Sequence, residues 1–157
     1  MKISTIGLAL VLIGQPALFS QSAGVHKLPP GFVDGSKNPD LIPDSAAYRL
    51  VFLSLKPPDA ADQSGLVRQS AALAATGLSA ADLETLKQQL AAFAASYKAW
   101  QAQAASAQSA DRAALHAQVV SLVLATRDAV VKELSPDGVI RLGAYVQKAK
   151  SRMVVRP

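Results

Sequence analysis

Apolar residues recur at alternating spacings of three and four through Ser79–Ala105: Leu83, Leu86, Leu90, Phe93, Tyr97, Trp100 and Ala104. This spacing places them on one helix face, close to a coiled-coil seam. The start of the helix is legible too. Ser79 is the expected N-cap, Asp82 stands at the third helical position, and Leu83 is placed to pack back on Leu78. Gly77, just before, suits the left-handed residue that ends a preceding helix.

Three further stretches flanking the seam have the same helical period. Tyr48, Val51, Phe52 and Leu55 fall at i, i+3, i+4 and i+7, in a helix opened by Pro43-Asp44 and ended by Pro57-Pro58. A helix beginning at Asp59 or Asp62 and running to about Thr76 has Leu66 and Leu73 one heptad apart, with Val67 and Ala74 beside them. Ser109 and Asp111 begin another, whose face is Leu115, Val119, Leu122, Val123 and Val130. Its segment Val119–Ala125 is apolar nearly all round. β-branched residues favour strands, but the helix-forming flanks and the length of the segment predict a buried central helix.

Leu134-Ser135-Pro136-Asp137 repeats the start logic, with an N-cap Ser, Pro at the first position and Asp at the second. Val139, Leu142, Val146, Ala149 and Met153 form its seam. Short connections between such helices predict an all-α fold, a four- to five-helix antiparallel bundle or paired helical hairpins.

The N-terminal region departs from this pattern. Met1-Lys2 is a short positive start, Ile6–Phe19 is an uncharged apolar run, and Ser20–Ala23 offers small residues for cleavage. Residues 1–23 therefore read as a secretory signal peptide, too short and too interrupted by Gly14 and Pro16 for a membrane span. Nothing later is expected to reach spanning length. Residues 24–43 hold prolines, glycines and turn-formers such as Asp34-Gly35, predicting an extended arm, mobile or draped on the helices. Residues 44–157 form one helical domain. The expected localisation is exported, periplasmic or extracellular.

Composition narrows the chemistry. Half of the 157 residues are apolar, much of that alanine, which suits closely packed helices. There is no cysteine, hence no disulfide and no thiolate chemistry. His26 and His116 have no metal-ligand spacing, and no G-x-S-x-G elbow, phosphate-cradling loop or calcium loop is present. Asp82, Asp111 and Asp137 sit in first turns, where capping accounts for them. No cofactor or metal is expected, and a non-enzymatic binding or adaptor role is the leading expectation.

Removal of Lys2 with the signal peptide takes the net charge from +5 to +4. Lys148, Lys150, Arg152 and Arg156 gather at the C-terminus as a candidate binding surface for another protein or an anionic envelope surface. Nucleic acid is not expected, because aromatic residues do not interleave these charges. Two alternatives remain: a small-ligand carrier or enzyme with a pocket near Tyr97, Trp100 and His116, and a helical homo-oligomer whose Leu83–Ala104 seam pairs between chains.

The segments Asn38–Leu55 (NPDLIPDSAAYRLVFLSL) and Leu134–Met153 (LSPDGVIRLGAYVQKAKSRM) resemble parts of small uncharacterised exported bacterial helical proteins. That resemblance implies a signal peptide and a helical fold. The starts Leu78-Ser79-Ala80-Ala81-Asp82 and Leu134-Ser135-Pro136-Asp137-Gly138 also resemble the L-T-x-x-Q motifs of Spy/CpxP-type periplasmic adaptors, with Ser for Thr and Asp or Gly for Gln. That likeness implies chaperone-like or envelope-adaptor behaviour and assigns no functional residue.

Overall fold

Helices α1 (Asp44–Leu55), α2 (Gln63–Ala75), α3 (Ala80–Ser106), α4 (Arg112–Glu133) and α5 (Pro136–Lys150) build the protein, with a two-residue ribbon of β1 (Val33–Asp34) and β2 (Val154–Val155). The computed structural model describes residues 31–58 and 62–156; the signal-peptide segment, the first part of the arm and Asp59 lie outside them. The fold is an all-α helical bundle.

The long seam is the core stripe. Leu86, Leu90, Phe93 and Tyr97 of α3 are buried, with Leu83 and Trp100 half-buried at its ends. α4 turns back along α3 through a 3₁₀ turn at Ser109–Asp111. Gln89 bonds to Glu133, and Trp100 Nε1 donates to Leu115 O, so the two helices run antiparallel. α1 packs over this hairpin with Ala47, Val51, Phe52 and Leu55 buried. The seam is thus covered by helices of its own chain.

Val119, Val123, Thr126 and Val130 are the buried residues of α4, and Leu115 and Leu122 lie at its edge. Thr126 sits in the apolar stripe because its hydroxyl donates to Leu122 O, one turn back. One expectation is corrected. The helical stretch Ser109–Glu133 is long and apolar enough to cross a membrane by length and composition. In the fold one face lies on α3 and α1, and only 22% of its most apolar stretch is buried, so it is a bundle helix with an open side and not the buried central helix expected.

A second correction concerns α2. Leu73 is buried, but Leu66 and Val67 are exposed, so the heptad partner of Leu73 lies outside the core. α2 is tied to α1 at its midpoint and buries Leu73 near its end. Asp62 caps it by accepting from Gly65 N, and Gln69 donates to Leu55 O of α1. Gly77 has φ +68°, the left-handed conformation expected after this helix.

The two similar helix starts meet in space. Ser79 and Ser135 each cap their own helix, accepting from Asp82 N and Gly138 N. Asp82 then accepts from Ser135 N at 2.9 Å and from the hydroxyls of Ser135 and Ser79 at 2.8 and 2.7 Å. One buried carboxylate therefore faces the positive N-termini of both α3 and α5. Gly138 makes room for it, since a Cβ there would stand 2.8 Å from the carboxylate.

The arm is draped, not detached, over its described length. Val33 pairs with Val155 and Asp34 with Val154, antiparallel. Gly35 N donates to Met153 O at 2.8 Å, and Ile42 is buried against the bundle. The residues after α5 thus clamp the segment that leads into α1.

Asp82 tests this architecture by its titration. The Ser135 N–H, then the hydroxyls of Ser79 and Ser135, hold its carboxyl below the usual aspartate value. Its contribution to stability is therefore complete above about pH 3.9, the unfolded aspartate value, and is lost as pH falls through the lower folded value. Thermal melts of Asp82→Asn are expected to show a lower Tm at neutral pH and a shallower fall in Tm on acidification than the parent chain. Equal acid slopes would contradict the shared-carboxylate account.

Candidate functional site

Five aromatic rings run through the bundle in contact. Tyr48 meets Phe52 at 5.5 Å between centroids, Phe52 meets Phe93 edge-on at 5.4 Å, Phe93 meets Tyr97 at 5.4 Å, and Tyr97 meets Trp100 at 5.2 Å. Spacing of three and four on α1 and α3 places these side chains one above another, and the helices cross where Phe52 meets Phe93. Such pairs add about 0.5–1.5 kcal/mol each beyond burial.

An arginine closes each end of the ladder. Arg127 of α4 lies 6.0 Å from the Tyr48 ring, and burial followed by the nearby Asp44 carboxylate pushes the Tyr48 phenol above its usual value. Arg49 of α1 lies 5.7 Å from the Tyr97 ring and 5.4 Å from the Trp100 ring, and its Nη2 donates to the Tyr97 hydroxyl at 2.9 Å. The two ends differ in their charge partners. Arg127 pairs with Asp128 and Asp44. Arg49 has no ion-pair partner among the described residues.

Lys56 and Lys98 extend this cationic region. With Pro57, Tyr97 and Gln101 they line an α1/α3 groove of about 360 Å³. Lys56 also borders a groove of about 420 Å³ between α1 and α2, lined by Ser54, Asp62, Arg68 and Gln69. Neither Lys56 nor Lys98 makes an ion pair among the described residues, and no carboxylate lines the α1/α3 groove. Asp62, across the second groove, already pairs with Arg68.

The expected tail surface is split by the fold. Lys148, Arg152 and Arg156 are exposed, and Lys148 borders a shallow pocket with Thr76, Arg141 and Tyr145. Lys150 points inward. Only 8% of its side chain is exposed, and its ammonium donates to Asp44 Oδ1 at 2.7 Å. Asp44 also meets Arg127, so it joins α1, α4 and α5. Three of the four tail cations therefore remain available on the surface, while Lys150 holds helices together.

The alternative trio is divided as well. Tyr97 is buried in the ladder, Trp100 is half-buried with its Nε1 satisfied by Leu115 O, and His116 is exposed on α4. His116 lines a separate pocket with Ser45, Arg49 and Val119. Arg49 links the two halves of that expectation, touching Tyr97 and Trp100 on one side and sharing a pocket with His116 on the other.

Sequence reasoning missed Arg49, Lys56 and Lys98, yet a signal was present. No acidic residue stands between Asp44 and Asp59, or between Glu84 and Asp111. Lys87 and Arg141 have an acid one turn back and pair with it, Glu84 and Asp137 respectively. Arg49 and Lys98 have none at helical spacing. No family model, curated protein or solved structure matches this chain.

Lys150 and Lys148 should separate experimentally. Lys150→Gln leaves Asp44 short of its closest cation and is expected to cost about 1–3 kcal/mol. Lys148→Gln is expected to stay within about 0.5 kcal/mol of the parent. Urea unfolding of both variants checks the difference; equal stabilities would refute the inward role of Lys150.

Proposed function

We propose that the protein is an exported, non-enzymatic helical binding module that docks an acidic segment of a partner protein in the α1/α3 groove. One observation carries this reading: Lys56 and Lys98 line a groove with Tyr97, and none of its lining residues among those described is a carboxylate. Unpaired cations beside an aromatic edge favour a ligand that brings negative charge and some apolar stem. The helices supply rigidity, because one lining residue, Tyr97, belongs to the ring ladder. Export follows from the leader-like composition of residues 1–23 and from the likeness to small exported helical proteins.

The same geometry ranks the C-terminal cations second. Lys148, Arg152 and Arg156 are spread along the end of α5 and the ribbon beyond it, while Lys56 and Lys98 face one groove. A partner reading the groove would be positioned by shape as well as by charge.

The test is titration of an acidic peptide of alternating Glu and Leu, followed by Trp100 fluorescence. Saturable binding that weakens with added salt is expected. Lys56→Gln and Lys98→Gln should each lower affinity by up to about fivefold, the ceiling for a single exposed ion pair. The triple change Lys148→Gln, Arg152→Gln, Arg156→Gln should leave it nearly unchanged. If the triple change abolishes binding and the two groove variants do not, the groove assignment is wrong.

A further inference from the structure

Arg49 is placed between two different openings. Its guanidinium stacks on Tyr97 and Trp100 and uses Nη2 on the Tyr97 hydroxyl, leaving its other N–H groups for further acceptors. The side of α1 facing α4 forms a pocket of about 90 Å³, lined by Ser45, Ala46, Arg49, His116, Val119, Val120 and Val123. Its polar groups are a guanidinium, a hydroxyl and an imidazole. Its remaining walls are apolar, and Val119 and Val123 are fully buried beneath it.

This composition discriminates among ligands. No carboxylate lines the pocket, and Arg49 has no ion-pair partner among the described residues, so the charge of the site calls for an anion. Arg49, Ser45 and His116 border the same pocket, and a planar carboxylate is the anion that a guanidinium recognises through paired N–H bonds. The apolar walls are wasted on a bare inorganic anion but suit a short hydrocarbon tail. The volume equals that of roughly three waters, room for a carboxylate and the first carbons of its tail and too little for a nucleotide or a sugar.

We propose that this α1/α4 pocket binds a short-chain carboxylate, with Arg49, Ser45 and His116 holding the carboxylate and Ala46 and Val120, backed by buried Val119 and Val123, receiving the alkyl tail. The site is distinct from the α1/α3 groove and does not depend on it. Arg49 is its anchor, preset by two aromatic rings so that little side-chain freedom is lost on binding. Trp100 is the only tryptophan and stacks on that guanidinium, so the chain carries its own reporter of occupancy.

The test is titration of sodium butyrate into the full chain, read by Trp100 emission at constant ionic strength. Saturation with a Kd on the order of 1 mM is expected for a ligand of this size. Acetate should bind more weakly by about fourfold for each methylene it lacks. Arg49→Gln should remove saturation. His116→Ala, at an exposed position where folding is not at stake, should weaken binding about threefold, the loss of one modest hydrogen bond. Lys56→Gln and Lys98→Gln should leave butyrate affinity unchanged, which separates this site from the groove. The proposal is overturned if butyrate fails to saturate, if inorganic phosphate competes as well as butyrate does, or if His116→Ala and Arg49→Gln both bind butyrate like the parent.

Discussion

The aromatic ladder from Tyr48 to Trp100 is the contact on which both packing and surface chemistry depend. It fixes how α1 crosses α3, because Phe52 and Phe93 are fully buried and meet edge-on. It also sets where the cations stand. Arginine rests on each terminal portion, Arg127 over Tyr48 and Arg49 over Tyr97 and Trp100. An arginine over a ring gains about 0.5–2 kcal/mol, the more so as water is excluded. Core and candidate sites are therefore one structure: the same Tyr97 is a buried core residue, an acceptor for Arg49 and a wall of the α1/α3 groove.

Two carboxylates complete the frame, each at the start of a helix and each used by another. Asp82 lies in the first turn of α3 and bonds to the start of α5. Asp44 lies in the first turn of α1 and pairs with Lys150 at the end of α5 and Arg127 of α4. α5 is thereby held at both ends by acids from other helices. The β1–β2 ribbon adds a third tie between its outgoing strand and the segment entering α1. Acids that compensate helix dipoles locally also set the arrangement of the bundle.

Helical periodicity made the elements legible. The stripe on α3, its Ser79 cap, the Gly77 turn, the proline stop after α1 and the Pro136 start of α5 all follow from local chemistry that needs no tertiary context. What stayed hidden is what depends on convergence. Asp82 reads as a local dipole partner and Lys150 as part of a basic surface, because nothing along the chain shows that Ser135 or Asp44 will face them. Leu66 and Val67 have the right period but are exposed, since α2 meets the bundle through Gln69 and Leu73 instead. Lys150 falls on the inner face of α5, four residues after Val146, so the register of that helix already marked it off from Lys148. Arg49 was passed over because one cation in an amphipathic helix is ordinary. Its lack of an acidic neighbour at helical spacing was the available clue.

The cationic surface gains its meaning from contrast. Some cations on this protein are matched by an acid: Arg68 with Asp62, Arg141 with Asp137, Lys150 and Arg127 with Asp44. Arg49 stacks on Tyr97 and Trp100 instead, and Lys56 and Lys98 share a groove with Tyr97 and have no acid partner among the described residues. The most direct measurement is amide and indole chemical-shift mapping of the isotope-labelled chain with the acidic peptide added. The account predicts that the shifts centre on Lys56, Tyr97, Lys98 and Gln101. Shifts centred instead on Lys148, Arg152 and Arg156, with those groove residues unmoved, would contradict it.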